Sequence, residues 1–497
     1  MSSWRAFIRS IGRHLTGDAP HQIVDLTEGS LLIRGGESRL NLHNLPIEVV
    51  LGSPGKRLLI YPDPVEVPPH RAGFDAIGKD HPVQTQLQLL IVEPNRFFSD
   101  LAGFIRLMPG EKITLGGHDD DQMARFNYPP SVESRHAVIH FDGNTVAIRD
   151  LHTTHGTKLV RIQNQEQIDQ LDHWRRKNLQ QMDEIYPSDV GPLERHDAFQ
   201  LISQVNAIMA DEAHRPPDSR GKPGGVVTLP TSLTPVFIGD LHARLENLRT
   251  LLTQTNILAT LASGRTALVI LGDAVHSERK LELEDMDSSL EMMDLIFTLK
   301  TLFPKQVFYI KGNHDAFSHD VVKGGVSQGV LWDKHVRFQR GAEYRNALET
   351  FYASLPCVVL GESYVACHAA PPKRSVTLET LINLHDYPGI EREVTWNRMR
   401  RPTYPTGYVA SHVRAFRQSL DLPKTAPFIV AHNPLSRGEK SVWIDAGEIC
   451  HHHIVFSALQ HNTAMMAQIR NVFIPLIFPI MEPPPFAKSR KKKTVPA

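Results

Sequence analysis

Five short segments between residues 239 and 432 carry aspartate, asparagine and histidine in an order that suits metal chemistry. Carboxylate, imidazole and amide groups bind divalent ions such as Mn, Fe or Zn. One aspartate between two ligand groups can bridge two ions. Paired ions lower the pKa of a bridging water, and they stabilise both the attacking and the leaving oxygen when phosphate is transferred in line. We therefore predict a two-metal site that cleaves phosphate esters. The segments are Gly239-Asp240-Leu241-His242, Gly272-Asp273, Gly312-Asn313-His314-Asp315, His368 after Tyr364-Val365-Ala366-Cys367, and His432 after Phe428-Ile429-Val430-Ala431.

Apolar runs stand immediately before most of these segments. Such runs are typical of buried parallel strands, and an α/β sheet binds its ligands beyond the carboxyl ends of its strands. Helical patterns at 244–261 and 288–302 alternate with the runs, which indicates a sheet layered by helices. We therefore expect the polar residues to meet at one edge. The clearest runs are Val236-Phe237-Ile238, Ala267-Leu268-Val269-Ile270-Leu271 and Val307-Phe308-Tyr309-Ile310.

The five segments resemble the metallophosphoesterase fold and, within it, the phosphoprotein (Ser/Thr) phosphatase family. That family has the pattern GDxHG, GDxxDR, GNH(E/D), a later histidine, and GHTP followed by IDTGA; here the last element is Ala431-His432-Asn433-Pro434-Leu435, then Ile444-Asp445-Ala446-Gly447. The resemblance implies a general acid, His314, because an imidazole suits proton transfer near neutral pH. It also implies metal ligands: Asp240 and His242 for one ion, Asp273 as the bridge, and Asn313, His368 and His432 for the other.

Two cations are candidates for binding the phosphoryl oxygens. Arg398 lies in Trp396-Asn397-Arg398, which resembles the Trp-x-Arg segment of bacterial members, and its planar guanidinium suits phosphate. Lys311 stands directly before Gly312, where the family usually has arginine.

The GDxxDR element departs from the family pattern. His276 replaces the carboxylate that orients the general acid, and Ser277 replaces a phosphate-binding arginine. Glu278 or Asp315 could supply the missing carboxylate. Ala243 replaces the glycine of GDxHG and should be tolerated.

Three functions are compatible with this pattern. The resemblance implies a phosphatase for phosphate monoesters, chiefly phosphoserine and phosphothreonine in proteins, that acts through a hydroxide shared by the two metals. A hydrolase of dinucleoside polyphosphates or other small phosphates would use the same ligands. The changes at His276 and Ser277 also allow a non-catalytic binding protein.

Composition sets broad limits on the whole chain. Its 497 residues suffice for two or three domains, and 54 basic residues balance 54 acidic ones, so the net charge does not indicate a nucleic-acid partner. Three cysteines are too few for a disulfide framework and favour a reducing compartment, so we expect a cytoplasmic protein. No stretch has the roughly 20 apolar residues of a membrane span.

Upstream of the catalytic segments, many short apolar stretches separated by turn residues predict a β-sandwich. Ser134-Arg135-His136-Ala137, Arg149-Asp150-Leu151 and His155-Gly156-Thr157 resemble the forkhead-associated (FHA) domain. Gly117, Glu133 and His155 occupy the places where that family grips phosphothreonine, and an acidic Glu133 would repel phosphate. We therefore favour an FHA-like scaffold that docks a protein partner without reading phosphate over one that binds phosphothreonine.

We divide the chain by these patterns. The expected parts are a β-rich region at 1–85, the FHA-like sandwich at 86–205 with a helical insertion at 163–186, and a Pro- and Gly-rich linker at 206–230. The catalytic domain spans 231–482, with a cap over the pocket at 316–350, and a basic disordered tail follows at 483–497. Residues 194–201 are predicted to be the closing strand of the sandwich, and 471–481 a buried strand or coil of the catalytic domain.

Overall fold

The structure is a computed structural model, and the chain divides into two compact units, residues 1–173 with 481–497 and residues 174–480. The predicted tail, Gly117 and residues 163–176 of the predicted insertion lie outside the described part of the chain. The described residues are 26, 30–53, 55–66, 83–96, 99–107, 109–116, 131–161, 177–187, 191–253, 255, 257–279, 282–436, 440–460, 462–469 and 472–480.

The first unit contains two antiparallel sheets. One has the order β1-β10-β3-β4-β5-β6 and the other β2-β9-β8-β7. Buried and partly exposed residues alternate along β3 and β8, as expected for strands with one face on a core. The strands are β1 Ser30–Ile33, β2 Glu37–Asn41, β3 Ile47–Gly52, β4 Gly55–Glu66, β5 Val83–Arg96, β6 Ser99–Leu107, β7 Lys112–Leu115, β8 Ala137–Phe141, β9 Thr145–Asp150 and β10 Thr157–Arg161.

The predicted boundary at residue 85 is wrong. Strand β2 pairs with β9, and β3 pairs with β10, so strands from both sides of the boundary share the same sheets. The sequence gives no signal for this, because sheet partners are distant along the chain. The predicted sandwich therefore begins at about residue 30.

Two predicted recognition residues of the FHA-like region lie on its loops. The Glu133 carboxylate accepts a hydrogen bond from the backbone amide of Thr154 at 2.6 Å, and this bond lowers the pKa of Glu133. His155 is exposed. The Glu133 carboxylate thus accepts from an amide that could otherwise donate to a phosphate oxygen. This agrees with the expectation that its negative charge disfavours phosphate at this place.

The second unit contains two larger sheets. Their orders are β11-β17-β18-β19-β21-β20 and β14-β13-β12-β22-β23, and a hairpin is formed by β15 and β16. The strands are β11 Val226–Thr228, β12 Thr234–Ile238, β13 Thr266–Ile270, β14 Val307–Tyr309, β15 Val322–Lys323, β16 Val326–Ser327, β17 Val358–Gly361, β18 Tyr364–Cys367, β19 Phe428–Val430, β20 Val442–Trp443, β21 His452–Val455, β22 Asn462–Ile469 and β23 Val472–Pro479.

The two large sheets face each other across a shared core. Phe237 and Val269 of one sheet pack in the same cluster as Ala366 and Ile429 of the other. Alternate residues of the second sheet, such as Val365, point into another cluster with helical side chains. This two-sided burial explains why these strands are almost wholly apolar, and it confirms the predicted α/β architecture with helices layered on sheets.

Helices cover the outer faces of these sheets, and α2, α3 and α4 contact strands β22, β13 and β14. A helical segment at 177–185 precedes α1. Among the helices that the structure describes, none combines the length and apolarity needed to cross a bilayer. The helices are α1 Arg195–Ala210, α2 Leu245–Thr253, α3 Ile257–Ala262, α4 Asp287–Leu302, α5 Gln328–Ser354, α6 Leu378–Ile382, α7 Pro388–Trp396 and α8 Ala410–Ser419, with 3-10 turns at Leu42–Asn44, Leu384–Asp386 and Ala446–Glu448.

Residues 194–201 are not the predicted closing strand of the sandwich. They form the first turns of α1, which belongs to the second unit and packs on α4 and α5. Ala198, Ile202, Val205 and Met209 are its buried residues. They recur every three or four positions, which is a helical period that a short strand assignment overlooks.

The segment 206–230 is also not a free linker. Its Arg215 and Glu212 are buried and form an ion pair at 2.9 Å. A side chain at Gly225 would lie 2.5 Å from the carbonyl oxygen of Leu381. Glycine here permits close packing of two backbones, a role that composition alone does not distinguish from flexibility.

Lys300→Met should destabilise the second unit by about 3 kcal/mol, since it leaves a buried carboxylate short of a partner. The ammonium group of Lys300 pairs with Glu212 and donates to the carbonyl oxygen of Val307 at 2.7 Å. Urea unfolding would measure the loss, with exposed Lys305→Met as the control. Equal unfolding midpoints for the two variants would contradict the packed assignment of 206–230.

Candidate active site

The predicted site residues lie on loops that follow strands of both large sheets. Strands β12, β13 and β14 are mutually parallel, so the loops with Asp240, Asp273 and Asn313 leave the same edge. Strands β18 and β19 are also parallel and lead into His368 and His432. The arrangement follows the rule for ligand sites in α/β sheets.

The backbone of these loops is unusually constrained. His242, Asp273, His276 and His432 all have positive φ angles, between 43° and 69°. Side chains other than glycine rarely adopt this region, and such residues concentrate at functional sites. A side chain at Gly312 would lie 2.2 Å from Oδ1 of Asp273, which explains the glycine before Asn313.

His368 lies at the centre of the first ligand group. Its Nδ1 faces the carbonyl oxygen of Leu271, which can only accept, so Nδ1 carries the proton and Nε2 of a neutral ring presents a lone pair. That Nε2 lies 3.3 Å from Oδ2 of Asp273, 3.1 Å from Oδ1 of Asn313 and 3.2 Å from Nδ1 of His432. Four potential ligand atoms therefore converge.

His242 belongs to a second group with Asp273 and His314, whose ligand atoms lie within 4.8 Å of one another. Asp273 also belongs to the His368 and His432 group under the same limit, so it is the residue the two groups share. Asp240 lies beside both: its Oδ2 is 3.6 Å from Nε2 of His242, and its Oδ1 accepts the amide of His432 at 2.9 Å.

These groups fit divalent cations. Ligand atoms bound about 2.0–2.2 Å from one ion lie about 3.0–3.5 Å from each other, as the atoms around His368 do. Aspartate, asparagine and histidine are also a donor set for Mn, Fe or Zn.

The protein charges produce opposing pKa shifts. Burial lowers the pKa of His368, but Asp273 outweighs burial and the pKa rises to about 9. Burial would raise the pKa of Asp273, but His368 and His314 hold it well below its usual value. Burial holds the pKa of His432 well below its usual value, and Arg398 adds to the effect. Ionised aspartate and neutral histidine are the forms that bind metal. Asp273 and His432 already have these forms, whereas an ion bound at His368 would displace its second proton.

His314 is placed between two other imidazoles. Its Nδ1 lies 3.1 Å from Nδ1 of His276, and its ring meets that of His242 edge-on at 5.1 Å. Burial lowers the pKa of His314 to about 4, and a bound phosphate dianion would raise this pKa by direct attraction. The neutral form of His314 is therefore favoured until a negative charge binds nearby.

The two candidate carboxylates of the sequence have other partners. Asp315 accepts hydrogen bonds from the Tyr309 hydroxyl and the Gly312 amide, each at 2.7 Å. Glu278 pairs with Lys323, and its Oε1 is 3.4 Å from Nε2 of His242. The contact to the His314 ring comes from His276 instead.

A cavity of about 250 Å³ brings most of the predicted residues together. Arg398 lines it and donates to the carbonyl oxygen of His432 at 3.0 Å. Lys311 is not a lining residue, and its ammonium group pairs with Glu391 at 2.5 Å, so the predicted contact with phosphate would require this ion pair to open. His368 lies behind the surface. The lining residues are Asp240, His242, Asp273, Glu278, Asn313, His314, Asp320, Val321, Val322, Lys323, Trp396, Arg398, Tyr404, His432, Pro434 and Phe456.

Several lining residues were missed from the sequence. Lys323 is on the β15–β16 hairpin, and Tyr404 follows α7 in a loop, where Arg398 lies over its ring at 5.7 Å. Val322 and Tyr404 are 52% and 46% exposed, so they form an open lip. The predicted cap at 316–350 contributes Asp320, Val321, Val322 and Lys323, but the sequence carried no signal for Asp320 or Lys323.

Comparison with known families finds two matches, one of which covers the part of the chain that holds this centre. Residues 233–451 match the family model for calcineurin-like phosphoesterases. The chain carries a calcineurin-like phosphoesterase domain. Residues 113–186 match the FHA domain, so the order of an FHA domain followed by the phosphoesterase domain is also confirmed. The phosphoesterase family is metal-dependent, which agrees with the donor set around Asp273.

Solved structures similar to this chain include several phosphatases. A protein serine/threonine phosphatase from Saccharomyces cerevisiae, with similarity to human phosphatase PP5, is 17% identical, covers 59% of this chain and 92% of its own, and has a TM-score of 0.45. A candidate diadenosine tetraphosphatase is 18% identical over 52% of this chain and 100% of its own, with a TM-score of 0.32. The cold-active protein-tyrosine phosphatase of a psychrophilic Shewanella is 12% identical over 51% and 82%, with a TM-score of 0.36.

No curated protein matches the chain.

Proposed function

We propose that the phosphoesterase domain is a phosphomonoesterase that removes phosphate from phosphoserine and phosphothreonine in proteins. The observation that supports this most is that Asp273 belongs to two groups of buried potential ligands and lines the same cavity as Arg398 and His314. A paired cation site, a cation for phosphoryl oxygens and a proton donor are the parts that monoester hydrolysis needs.

The residues divide the work by position. Asp240, His242 and Asp273 would hold one divalent ion, and Asp273, Asn313, His368 and His432 the other. When bound, such ions supply Lewis acidity and lower the pKa of a coordinated water. Arg398 would bind the phosphoryl oxygens through its planar guanidinium. His314 would protonate the leaving oxygen, a step that a serine or threonine alkoxide requires far more than an aryl or phosphate leaving group.

The open lip suits a peptide substrate. Val322 and Tyr404 expose apolar surface beside the cavity, and such surface can bury side chains that flank a phosphorylated residue. The FHA domain offers a second place for a protein partner, in a cytoplasmic setting. Its Glu133 disfavours phosphate at that place, so we propose docking that does not depend on phosphothreonine.

A comparison of three substrates tests the proposal. With added Mn, the protein should hydrolyse a phosphoserine peptide with a higher kcat/KM than diadenosine tetraphosphate, and p-nitrophenyl phosphate should serve as a general reference. Faster turnover of diadenosine tetraphosphate would assign the site to small phosphates. Metal analysis that finds no bound ion, together with no turnover, would favour a binding protein.

Chelation should abolish activity and lower thermal stability together. Ions that bind the folded site alone stabilise it by about 2.7 kcal/mol at 100 times their Kd, and they relieve repulsion between the acceptor atoms around His368. Differential scanning calorimetry before and after EDTA, then after return of Mn or Zn, would measure the change. An unchanged Tm with full recovery of activity by Mg alone would contradict a tight nitrogen-ligated site.

A further inference from the structure

We propose that His276 is a positioning residue for His314: the hydrogen bond between their Nδ1 atoms holds the His314 ring with Nε2 available to the leaving oxygen of the substrate. The inference rests on the proposed function and deepens it, since it concerns how the same site serves substrates with poor leaving groups.

The geometry assigns a role to each nitrogen of His314. Its Nδ1 lies 3.1 Å from Nδ1 of His276. In the doubly protonated ring that acts as the acid, Nδ1–H donates to His276 and Nε2–H passes to the leaving oxygen, which leaves a neutral His314 with its Nδ1 proton. His314 also lines the cavity, which leaves Nε2 as the nitrogen for a bound substrate. The ring is further confined by the edge-on ring of His242 at 5.1 Å.

His276 is held firmly enough to orient its neighbour. Its side chain is fully buried, and its backbone amide donates to the Ser289 hydroxyl at 2.9 Å. The Trp332 ring meets the His276 ring at 88° with centroids 6.1 Å apart. Its φ of 69° fixes the direction in which the side chain leaves the loop. A side chain restrained on each of these sides is preorganised for its contact.

No carboxylate among the described residues performs this task. Asp315 accepts from Tyr309, Gly312 and the Asp273 amide. Glu278 is paired with Lys323 and lies near His242. Both carboxylates are therefore engaged, and His276 is the hydrogen-bond partner that the structure gives to the His314 ring.

Loss of the contact from His276 should affect substrates unequally according to their leaving groups, whereas a general loss of structure would affect all substrates alike. A phosphoserine ester leaves as an alkoxide and needs a proton during bond cleavage, whereas p-nitrophenolate is a stabilised anion and needs little help. Misorientation of His314 should therefore cost much more on the first substrate. A displacement of about 1 Å can cost about 100-fold in rate.

Variants at one position can test this. His276→Leu removes the hydrogen bond, and His276→Asn keeps an amide group where Nδ1 stood. We expect His276→Leu to lose about 100-fold in kcat/KM on a phosphoserine peptide but at most about fivefold on p-nitrophenyl phosphate. His276→Asn should regain at least about tenfold on the peptide. His276→Gln, whose amide reaches the place of Nε2 instead, should not.

Two further measurements separate positioning from other causes. In a His314→Ala background, His276→Leu should add no further loss on the peptide, because the group it orients is gone. Metal content should match that of the wild type in each His276 variant. If His276→Leu fails to fold, the contrast between His276→Asn and His276→Gln decides the question alone.

The outcomes distinguish this inference from the proposed function. Equal losses on both substrates, additive losses with His314→Ala, or equal peptide activities of the Asn and Gln variants would overturn the role of His276 while leaving a phosphatase. A wild-type protein that cleaves neither substrate would overturn the proposed function, and the inference with it.

Discussion

Asp273→Asn is expected to lower the turnover of p-nitrophenyl phosphate by about 10³-fold or more, which corresponds to about 4 kcal/mol of lost transition-state stabilisation. Asp273 is the residue common to both ligand groups, and its carboxylate also receives the backbone amide of His314 at 2.7 Å. The amide isostere keeps the shape but removes the negative charge that two cations would share. Steady-state kinetics with added Mn, and metal analysis by mass spectrometry, would measure both effects.

Asp320→Asn is the matched control for that experiment. Asp320 also lines the cavity, but its carboxylate is largely exposed and pairs with Arg392 at 3.2 Å. It should retain metal and most activity, because exposed pairs contribute little. If Asp273→Asn kept full metal content and turnover, Asp273 could not be the bridge, and the two-metal assignment would fail.

Arg398→Ala is expected to lower kcat/KM on a phosphoserine peptide by about 10²–10³-fold, as loss of a donor to a developing negative charge does. Arg398→Lys should recover part of the loss, since the charge returns without the planar pair of donors. Arg398 lines the cavity, and its guanidinium group donates to the carbonyl oxygen of His432. Kinetics on peptide and aryl substrates, with metal content measured in parallel, would separate phosphate binding from disturbance of the His432 ligand.

Arg400→Ala serves as the control because Arg400 is exposed and outside the cavity. Its kinetics should be close to those of the wild type. An Arg398→Ala variant with unchanged KM and kcat would show that phosphate is held elsewhere; among the described residues, Lys323 is the other lysine or arginine that lines the cavity.

The sequence predicted the catalytic half well because local patterns determine it. Runs such as Ala267–Leu271 are buried on both faces, and parallel strands place the residues after them at one edge. The proximity of Asp240, Asp273 and Asn313 can therefore be predicted without knowing the structure of the loops. Their individual roles as ligands are predictions that metal analysis of single variants would test.

The features that the sequence did not predict share a physical cause, which is that partners across the fold are invisible in the chain. Lys311 has the right charge and the right position before Gly312, yet Glu391 from α7 binds it away from the cavity. The contact between His276 and His314 depends on two loops that come together only when the sheet forms. The same applies to β2 and β9, which placed residues before 85 in the sandwich.

His242, Asp273, His276 and His432 have left-handed backbone conformations. At these positions the residue that would best stabilise the fold differs from the residue that the proposed chemistry needs. Glycine would be the more comfortable residue at each of these four places, yet none of the chemistry proposed for them would survive it. Substitutions that stabilise the fold at these positions should therefore abolish catalytic turnover before they affect anything else. Homologues that have lost hydrolytic activity should carry glycine or other substitutions at these four positions, while the residues of their sheets are still unchanged.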